Sequence, residues 1–399
     1  MLIDPVEILK QLVAIPSVNP MGPDCSEAIT GEGRLATFLE NTLRRMGLTA
    51  WRQPVLPGRD NVIGLLEGDV SPSRGGRVIL FDAHQDTVPV DGMTIDPFDP
   101  REQDGRIYGR GACDVKGGMA SMLAAVAQLA DQRPGPLPTI IVSCTADEEN
   151  GFRGVARLTE QWDDPSGLPV LPRPDAAIVL EPTGLDTVVA HKGMMRWKIH
   201  THGRAAHSAY PQSGENAIYK MGRVLGAIEA HAAQLAEEPS DAHCGAATLS
   251  VGTIDGGAGV NTVPDRCTIE VDLRPLPGGD PLVARQRLID AVSTLGILGV
   301  EHEPPFAQGP SLADTHNGPL AERLIDVTNS ITGSCRRAGM SCCTDAPFFA
   351  AMGVPTVVFG PGFLEQAHTA DEWIEIDQLQ RAVEILSQLC LTYSETSGA

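Results

Sequence analysis

Short apolar runs that alternate with helical patterns are the feature that most constrains the fold of this 399-residue chain. Apolar residues recur with a helical period over about 5–15 and 33–47, and a run rich in small apolar residues over 117–130 predicts a further helix. Four apolar runs in the same part of the chain are typical of buried strands. They are 62–66, 78–81, 139–144 and 176–180. Strands that alternate with helices at this spacing predict an α/β sheet covered on both faces.

The pattern changes near residue 194. Segments such as 195–202 and 267–273 alternate apolar and polar residues, which is typical of an antiparallel sheet with one covered face. Together with long helical patterns over 215–235 and 282–298 they predict a β-α-β-β-α unit. The α/β pattern resumes after Pro304 and Pro305. We therefore predict one α/β domain, formed by 1–192 and 307–399, that is interrupted by a smaller α+β domain over 193–306.

The charge balance limits the classes of function. Acidic residues outnumber basic residues by 51 to 30, which gives a formal net charge of −21. Proteins that bind nucleic acid or anionic lipid need clusters of Lys and Arg, so we expect neither partner. No apolar run approaches the roughly 18 residues of a membrane span, and no signal-peptide pattern is visible, so we expect a cytoplasmic protein. The nine cysteines include no CxxC pair, which argues against a disulfide framework or a cysteine zinc site.

Histidine and carboxylate residues follow several of the predicted strands. His84 and Asp86 come just after the run 78–81, and in an extended segment these two side chains project to the same side. A carboxylate beside a histidine can fix the tautomer of a metal-binding imidazole. An isolated His-x-Asp sequence is nevertheless more often an ordinary loop.

Asp114 lies in the glycine-rich turn Tyr108–Gly118, just before a predicted helix. The residue fits either the N-cap of that helix or a ligand position. A glycine-rich turn also suggests phosphate binding, but the order of residues matches neither GxxxxGK[ST] nor GxGxxG.

Three successive carboxylates, Asp147, Glu148 and Glu149, follow the predicted strand 139–144. A run of charges usually lies in a solvated loop. Directly after a buried strand, however, like charges are costly unless a cation neutralises them. In an extended segment Glu148 and Glu149 point to opposite sides, so that one can bind a metal while the other faces a substrate.

Glu181 and His368 extend the pattern. Glu181 follows the run 176–180, and His368 follows the apolar strand 355–359 and a glycine turn, although each alone is more often a solvated strand end. Ligands of α/β sheets collect at the carboxyl ends of strands. Two metal ions that share one bridging carboxylate require this inventory of side chains, and such pairs recur in hydrolases.

The ordered motifs of the chain resemble those of a known enzyme family. Nine motifs occur in order along nearly the whole chain. They are HxD, GRGxxDxKGG, DEExG, EPT, RAAHSAYPxxGxNAI, NxVPDxC, DLRPLPG, GPG and QAHTADE. This series is similar to that of the di-zinc amidohydrolases that include acetylornithine deacetylase, succinyl-diaminopimelate desuccinylase, aminoacylase and glutamate carboxypeptidase. The segments 190–193, 272–278, 343–348 and 360–368 are most similar to those of acetylornithine deacetylases.

The resemblance implies a catalytic α/β domain with two divalent metal ions, zinc as the expected metal and cobalt as a substitute. Asp114 would bridge the metals. The remaining ligands would be His84 and Glu181 at one site, and Glu149 and His368 at the other. Glu148 would be the general base, and Asp86 would orient His84.

The resemblance also makes the smaller domain a lid that forms a homodimer. His207 would polarise the scissile carbonyl from the partner subunit, while Asn261 and Arg274 would hold the substrate. A planar guanidinium such as that of Arg274 suits an α-carboxylate. From the residues alone, a surface position for His207 and a structural ion pair for Arg274 are favoured over these functional roles.

The implied activity is hydrolysis of the amide bond of a small N-acyl amino acid, as in an acetylornithine deacetylase. Other members of the same family would share every catalytic residue, whether a desuccinylase, a carboxypeptidase or a dipeptidase. Two alternatives from other classes are a catalytically silent metal-binding module and an unrelated nucleotide-binding enzyme. The intact Glu148 argues against the first, and the missing phosphate motifs argue against the second.

Overall fold

A computed structural model describes residues 2–21, 26–164 and 167–394. These residues form two compact units. The first consists of Met1–Val189, Asp314–Ala338 and Thr344–Ala399, and the second of Ala190–Ala313 and Gly339–Cys343. The described residues contain nine α-helices, which are α1 (Pro5–Val13), α2 (Gly33–Arg45), α3 (Gly117–Gln132), α4 (Arg153–Glu160), α5 (Ala217–Glu237), α6 (Pro281–Ser293), α7 (Gly318–Thr332), α8 (Ala346–Ala351) and α9 (Ile376–Ser394).

The strands range from two to nine residues in length. In chain order they are β1 (Thr49–Leu56), β2 (Arg59–Leu66), β3 (Val78–His84), β4 (Arg101–Gln103), β5 (Arg106–Tyr108), β6 (Thr139–Thr145), β7 (Ala176–Val179), β8 (Thr187–His191), β9 (Met194–His202), β10 (Ala206–His207), β11 (Thr248–Gly256), β12 (Thr262–Val263), β13 (Arg266–Arg274), β14 (Val300–His302), β15 (Ala307–Gly309), β16 (Arg337–Met340), β17 (Thr356–Val358) and β18 (Trp373–Glu375).

The large sheet has eight strands in the order β1-β2-β6-β3-β7-β17-β8-β16. Its centre is parallel, since β3 pairs in parallel with β6 and β7, and β17 pairs in parallel with β7. Every residue of β3, β6 and β7 is buried, which explains why these strands are continuous apolar runs. The predicted α/β fold is confirmed, and antiparallel β1 and β2 extend it at one edge.

Helices cover this sheet. α3 packs against α1 and α9, α7 packs against α9, and α2 contacts β1 and β2. α3 is buried along most of its length because its small side chains, from Gly117 to Ala127, allow close approach. Throughout the ranges that the structure describes, no helix combines the length and apolar character that a membrane span requires.

The second unit contains an antiparallel sheet in the order β11-β13-β9-β14, and β15 also pairs with β9. Alternate residues of β9 and β13 are buried, as their alternating sequence predicts. The core centres on Trp197, which lies opposite Val271 in register, and includes Met221 and Val224 of α5 and Leu288 of α6. A two-residue ladder between β10 and β12 places His207 opposite Thr262.

No disulfide joins the eight cysteines in the described part of the chain, and five of them are buried. Cys25 lies outside the described residues.

Candidate active site

Parallel strands bring the predicted side chains to one edge of the large sheet. His84 is the last residue of β3 and lies in register with Thr145, the last residue of β6. Glu148 and Glu149 follow β6, and Glu181 follows β7, which pairs with the other side of β3. Because the carboxyl ends of parallel strands meet at one edge, residues far apart in sequence become neighbours here.

Two groups of three side chains bring possible metal-binding atoms within 4.8 Å of one another. The first is His84, Asp114 and Glu181, and the second is Asp114, Glu149 and His368. We call them the His84 triad and the His368 triad. They contain all five residues predicted as metal ligands, in the predicted grouping.

Asp114 belongs to both triads because its two carboxylate oxygens face different histidines. Oδ1 lies 3.0 Å from Nε2 of His84, and Oδ2 lies 3.2 Å from Nε2 of His368. Glu181 Oε1 is 3.8 Å from the first of these nitrogens, and Glu149 Oε1 is 3.4 Å from the second. A carboxylate with one oxygen toward each group has the arrangement of a bridging ligand between two cations.

Asp114 is not the N-cap of the following helix. α3 begins at Gly117, Lys116 is the residue before it, and no side chain caps its first turn. The Asp114 carboxylate is instead turned toward the two histidines, which favours the ligand alternative over the capping one.

The donor atoms of the two triads fit divalent metal ions. Imidazole nitrogens and carboxylate oxygens are common ligands of zinc and related ions, and a second metal at about 3.5–4 Å is typical of paired sites. Three buried carboxylates from Asp114, Glu149 and Glu181 also place like charges close together. Cations at the triads would offset that repulsion, so the residues present suit a two-metal centre.

The pKa values of the site reflect burial and mutual charge. Burial raises the pKa of Glu148 and of Glu181 well above the ordinary range of a carboxyl, and it also raises the pKa of Glu149. Hydrogen bonds to Asp114 and Glu149 raise the pKa of His368 to about 10. Burial would raise the pKa of Asp114, but its hydrogen bonds with the two histidines outweigh burial and lower it.

Glu148 is buried beside the triads but belongs to neither of them. Its backbone N–H donates to Oδ1 of Asp86 at 3.1 Å, and the next N–H, of Glu149, donates to Oδ2 of the same carboxylate at 3.1 Å. Asp86 therefore fixes the backbone from which both glutamates project. A buried carboxylate with a raised pKa beside a metal-binding group is suited to proton transfer.

Asp86 contacts His84 through its backbone rather than its side chain. Nδ1 of His84 donates to the backbone carbonyl oxygen of Asp86 at 2.8 Å, whereas Oδ1 of Asp86 lies 3.8 Å away. This bond leaves Nε2 of His84 directed at Asp114 and Glu181. The orienting hydrogen bond expected from the HxD motif is present, and the structure assigns it to the carbonyl.

Asp147, the first of the three successive carboxylates, is neutralised by arginines. Its Oδ1 lies 3.0 Å from Nη2 of Arg59, and its Oδ2 lies 2.6 Å from Nη1 of Arg153. Nδ2 of Asn19 donates both to Asp147 and to Asp86. Asp147 also has a φ of +67°, a left-handed conformation that non-glycine residues seldom adopt. No local motif links Asn19, Arg59 and Arg153, so their roles were not predictable from the sequence.

The remaining three predicted residues, His207, Asn261 and Arg274, belong to the second unit. His207 and Asn261 are both exposed. They lie near each other, since the backbone N–H of Ser208 donates to the carbonyl oxygen of Asn261. Nδ1 of His207 accepts a hydrogen bond from the backbone N–H of Ala209 at 3.0 Å. Arg274 makes a two-bond ion pair with Asp272, at 2.9 and 3.1 Å. The functional roles of these three residues stay predictions.

An α/β sheet that carries two adjoining His-carboxylate triads, a shared aspartate and a buried glutamate is typical of hydrolases with a two-metal centre.

Comparison with known proteins identifies the family. The family model described as peptidase family M20/M25/M40 matches residues 80–392. An acetylornithine deacetylase from Myxococcus xanthus is 32% identical over 362 residues, which cover 89% of this chain and 90% of that protein. The chain therefore belongs to peptidase family M20/M25/M40 and is a hydrolase of that family, as the motif resemblance predicted.

Solved structures share the fold. A tripeptidase from Staphylococcus aureus has a TM-score of 0.79 at 19% identity, with 98% of each chain covered. A dinuclear metal-binding peptidase of the M20 family from Bacillus subtilis has a TM-score of 0.67 at 16% identity, again with 98% of each chain covered.

Proposed function

We propose that this protein hydrolyses the amide bond of a small N-acyl amino acid, in the manner of an acetylornithine deacetylase. Hydrolysis as the reaction is supported by the two triads, which share Asp114 and have Glu148 beside them. The acyl amino acid as substrate is supported by the 32% identity to the Myxococcus xanthus deacetylase over 90% of that protein.

The two triads would hold two divalent ions, zinc by preference, with cobalt able to replace it. When bound, such ions polarise a carbonyl and lower the pKa of water toward neutrality. Glu148 takes the proton of the attacking water and delivers it to the leaving amine. Burial favours this role because it raises the pKa of Glu148 and so makes its carboxylate a stronger base.

Residues of the second unit would recognise the substrate. His207 stabilises the oxyanion that develops on the scissile carbonyl, and Asn261 helps to hold the substrate. Arg274 pairs with the α-carboxylate. Asp272 engages Nε and Nη2 of Arg274, so that Nη1 is the atom we assign to the substrate.

We further propose that the protein is a homodimer that pairs through the second unit, with His207 acting at the partner's site. β11 is at the edge of the antiparallel sheet, where an unpaired row of backbone groups can join another chain. Ile254 of this strand is 58% exposed, which adds apolar surface to that edge.

A substrate panel tests the proposed reaction. Wild-type protein reloaded with Zn²⁺ after chelation is assayed on N-acetyl, N-formyl and N-succinyl amino acids and on di- and tripeptides. We expect N-acetyl amino acids, with N-acetylornithine foremost, to have the highest kcat/KM. A preference for N-succinyl substrates would replace the deacetylase by a desuccinylase, and a preference for peptides would replace it by a peptidase.

The same preparation supplies the control for metal dependence. Chelated protein should be inactive and should recover with zinc or cobalt. Full activity without metal would refute the two-metal mechanism, and a metal-loaded protein that hydrolyses nothing would favour the silent metal-binding module.

A further inference from the structure

A buried glutamate outside the predicted ligand set contacts the turn that carries Asp114. Glu372 lies between His368 and β18 and is fully buried. Its Oε1 accepts hydrogen bonds from the backbone N–H groups of Cys113 at 2.8 Å and Asp114 at 3.0 Å. Its Oε2 accepts from the backbone N–H of Gly111 at 2.9 Å and from Nη1 of Arg110 at 2.7 Å.

These four hydrogen bonds fix a segment that the sheet does not hold. Gly111 has a φ of +81°, and a Cβ there would lie 2.8 Å from Cγ2 of Thr87, so the turn is tightly packed. Backbone N–H groups in such a turn have no strand partner, and an unsatisfied buried N–H is costly. One carboxylate satisfies three of them. Its charge is balanced by Arg110, which is 3% exposed.

Glu372 also links the two chain segments that supply His368 and Asp114 to the His368 triad. It follows His368 by four residues, and the strand β18 that begins next pairs with β5, just before the glycine-rich turn. The backbone N–H of Gly109 donates to the carbonyl oxygen of Glu372 at 3.0 Å, which adds a backbone bond between the segments. The segment that supplies His368 is thereby held against the segment that supplies Asp114.

We propose that Glu372 is a positioning residue for the metal centre. It holds the amide of Asp114 and so sets the direction in which the two Asp114 oxygens face His84 and His368. This inference rests on the proposed two-metal function. Residues that orient metal ligands typically contribute 10–100-fold to metal affinity, so the effect is measurable by metal binding alone.

The substitution Glu372→Gln removes one acceptor while keeping the shape of the side chain. A glutamine has one carbonyl oxygen and one NH2 group, and that NH2 must face either two backbone N–H groups or one N–H and Arg110. We expect Zn²⁺ affinity to fall 10–100-fold when Zn²⁺ alone is titrated into the metal-free full-length protein. The visible absorption of the Co²⁺-loaded variant should also shift, because the carboxylate of Asp114 would have a different orientation at the metal centre.

Glu375→Gln is the matched control. Glu375 lies three residues further on, in β18, where it pairs at 3.8 Å with Arg106 and is 38% exposed. Zinc affinity and the Co²⁺ spectrum should be unchanged in this variant. A role of Glu372 in stability alone would lower Tm and leave both metal readouts at their wild-type values.

The outcomes separate the two proposals. Wild-type zinc affinity and an unchanged Co²⁺ spectrum in folded Glu372→Gln would overturn the positioning role, while the proposed function would stand. A wild-type protein that binds no zinc would overturn the proposed function itself. If Glu372→Gln does not fold, Arg110→Gln serves instead, because it removes the guanidinium that balances the charge of Glu372 but none of the three backbone N–H donors. A smaller loss of zinc affinity in that variant supports the role, and no loss overturns it.

Discussion

Glu148 and Glu149 are adjacent in sequence, yet only Glu149 belongs to a triad. The opposite-sides prediction assumed an extended segment, whereas Glu148 and Glu149 lie in a turn. Asp86 holds that turn by accepting the backbone N–H of each residue. The division of roles has a direct test in a pair of conservative substitutions.

Glu148→Gln should lower kcat by about 10²–10⁴-fold, because an amide cannot take the proton of the attacking water. Its metal content should equal that of the wild type. Glu149→Gln, the matched variant one residue away, should lose metal as well as activity because it removes a ligand of the His368 triad. Steady-state kinetics and elemental analysis measure both quantities. An active Glu148→Gln variant, or one that has lost metal, would exclude Glu148 as the base.

The predicted ligands that the structure brings together share one property, namely that they follow strands or belong to a glycine-rich turn. Residues that only hold these ligands in place have no such pattern in the sequence. Arg59 contacts Asp147 from β2, and Glu372 contacts Asp114 from the far end of the chain. Their partners are set by tertiary packing, so that nothing in the local sequence distinguishes these charges from those of a solvated surface.

At the scale of elements, continuous apolar strands were predictable and irregular ones were not. β1 contains Arg52, Gln53 and Pro54, which interrupt any apolar alternation. Gln53 is nevertheless buried, because it donates to Gln161 and accepts from Asn61. The strands of two or three residues are too short to show a period. The helical pattern over 282–298 continues past the end of α6 at Ser293, where Gly296 has a positive φ.

The antiparallel sheet of the second unit contains a histidine that should couple its stability to pH. Nε1 of Trp197 donates to Nδ1 of His302 at 3.2 Å, a bond that requires this nitrogen to be unprotonated. Burial, with a further contribution from Arg285, lowers the pKa of His302 to about 4. The ordinary pKa of an unfolded histidine is about 6.5, so below that pH the unfolded chain binds the proton more readily. Stability is therefore lost as pH falls from about 6.5 to 4.

We expect His302 to account for about 1–2 kcal/mol of that loss, less than the full pKa shift implies because the ring is partly solvent-screened. His302→Gln keeps an acceptor for Trp197 but does not titrate, so its stability should depend less on pH. Urea unfolding at pH 7 and at pH 4.5 measures the difference between variant and wild type. Equal losses in the two proteins would contradict the assignment.

At the scale of the whole molecule, the proposed homodimer predicts that two inactive variants restore each other. A dimer of Glu148→Gln lacks the base, and a dimer of His207→Ala lacks the residue supplied to the partner's site. A mixed dimer has one site with an intact Glu148 and the partner's intact His207. Unfolding and refolding the two variants together should therefore restore part of the activity, while each alone stays inactive. No recovery in a mixture shown to be dimeric would contradict action across subunits.

Sedimentation tests the dimer itself. Wild-type protein should have twice the mass of one chain, and Ile254→Glu, on the exposed edge strand β11, should shift it toward the monomer. Leu298→Glu is the control because Leu298 is 84% exposed and lies outside every strand of that sheet. A monomeric wild type, or equal effects of the two variants, would contradict pairing through β11.

The first unit is assembled from segments on both sides of the second, which sets the order of events during synthesis. His84, Asp114, Glu149 and Glu181 leave the ribosome before the second unit, whereas His368 leaves after it. β17, which lies between β7 and β8 in the sheet, is equally late. A nascent chain can therefore form the His84 triad but not the His368 triad. Complete loading of the proposed metal centre thus requires translation beyond His368, so a chain that terminates before this residue cannot become an active hydrolase.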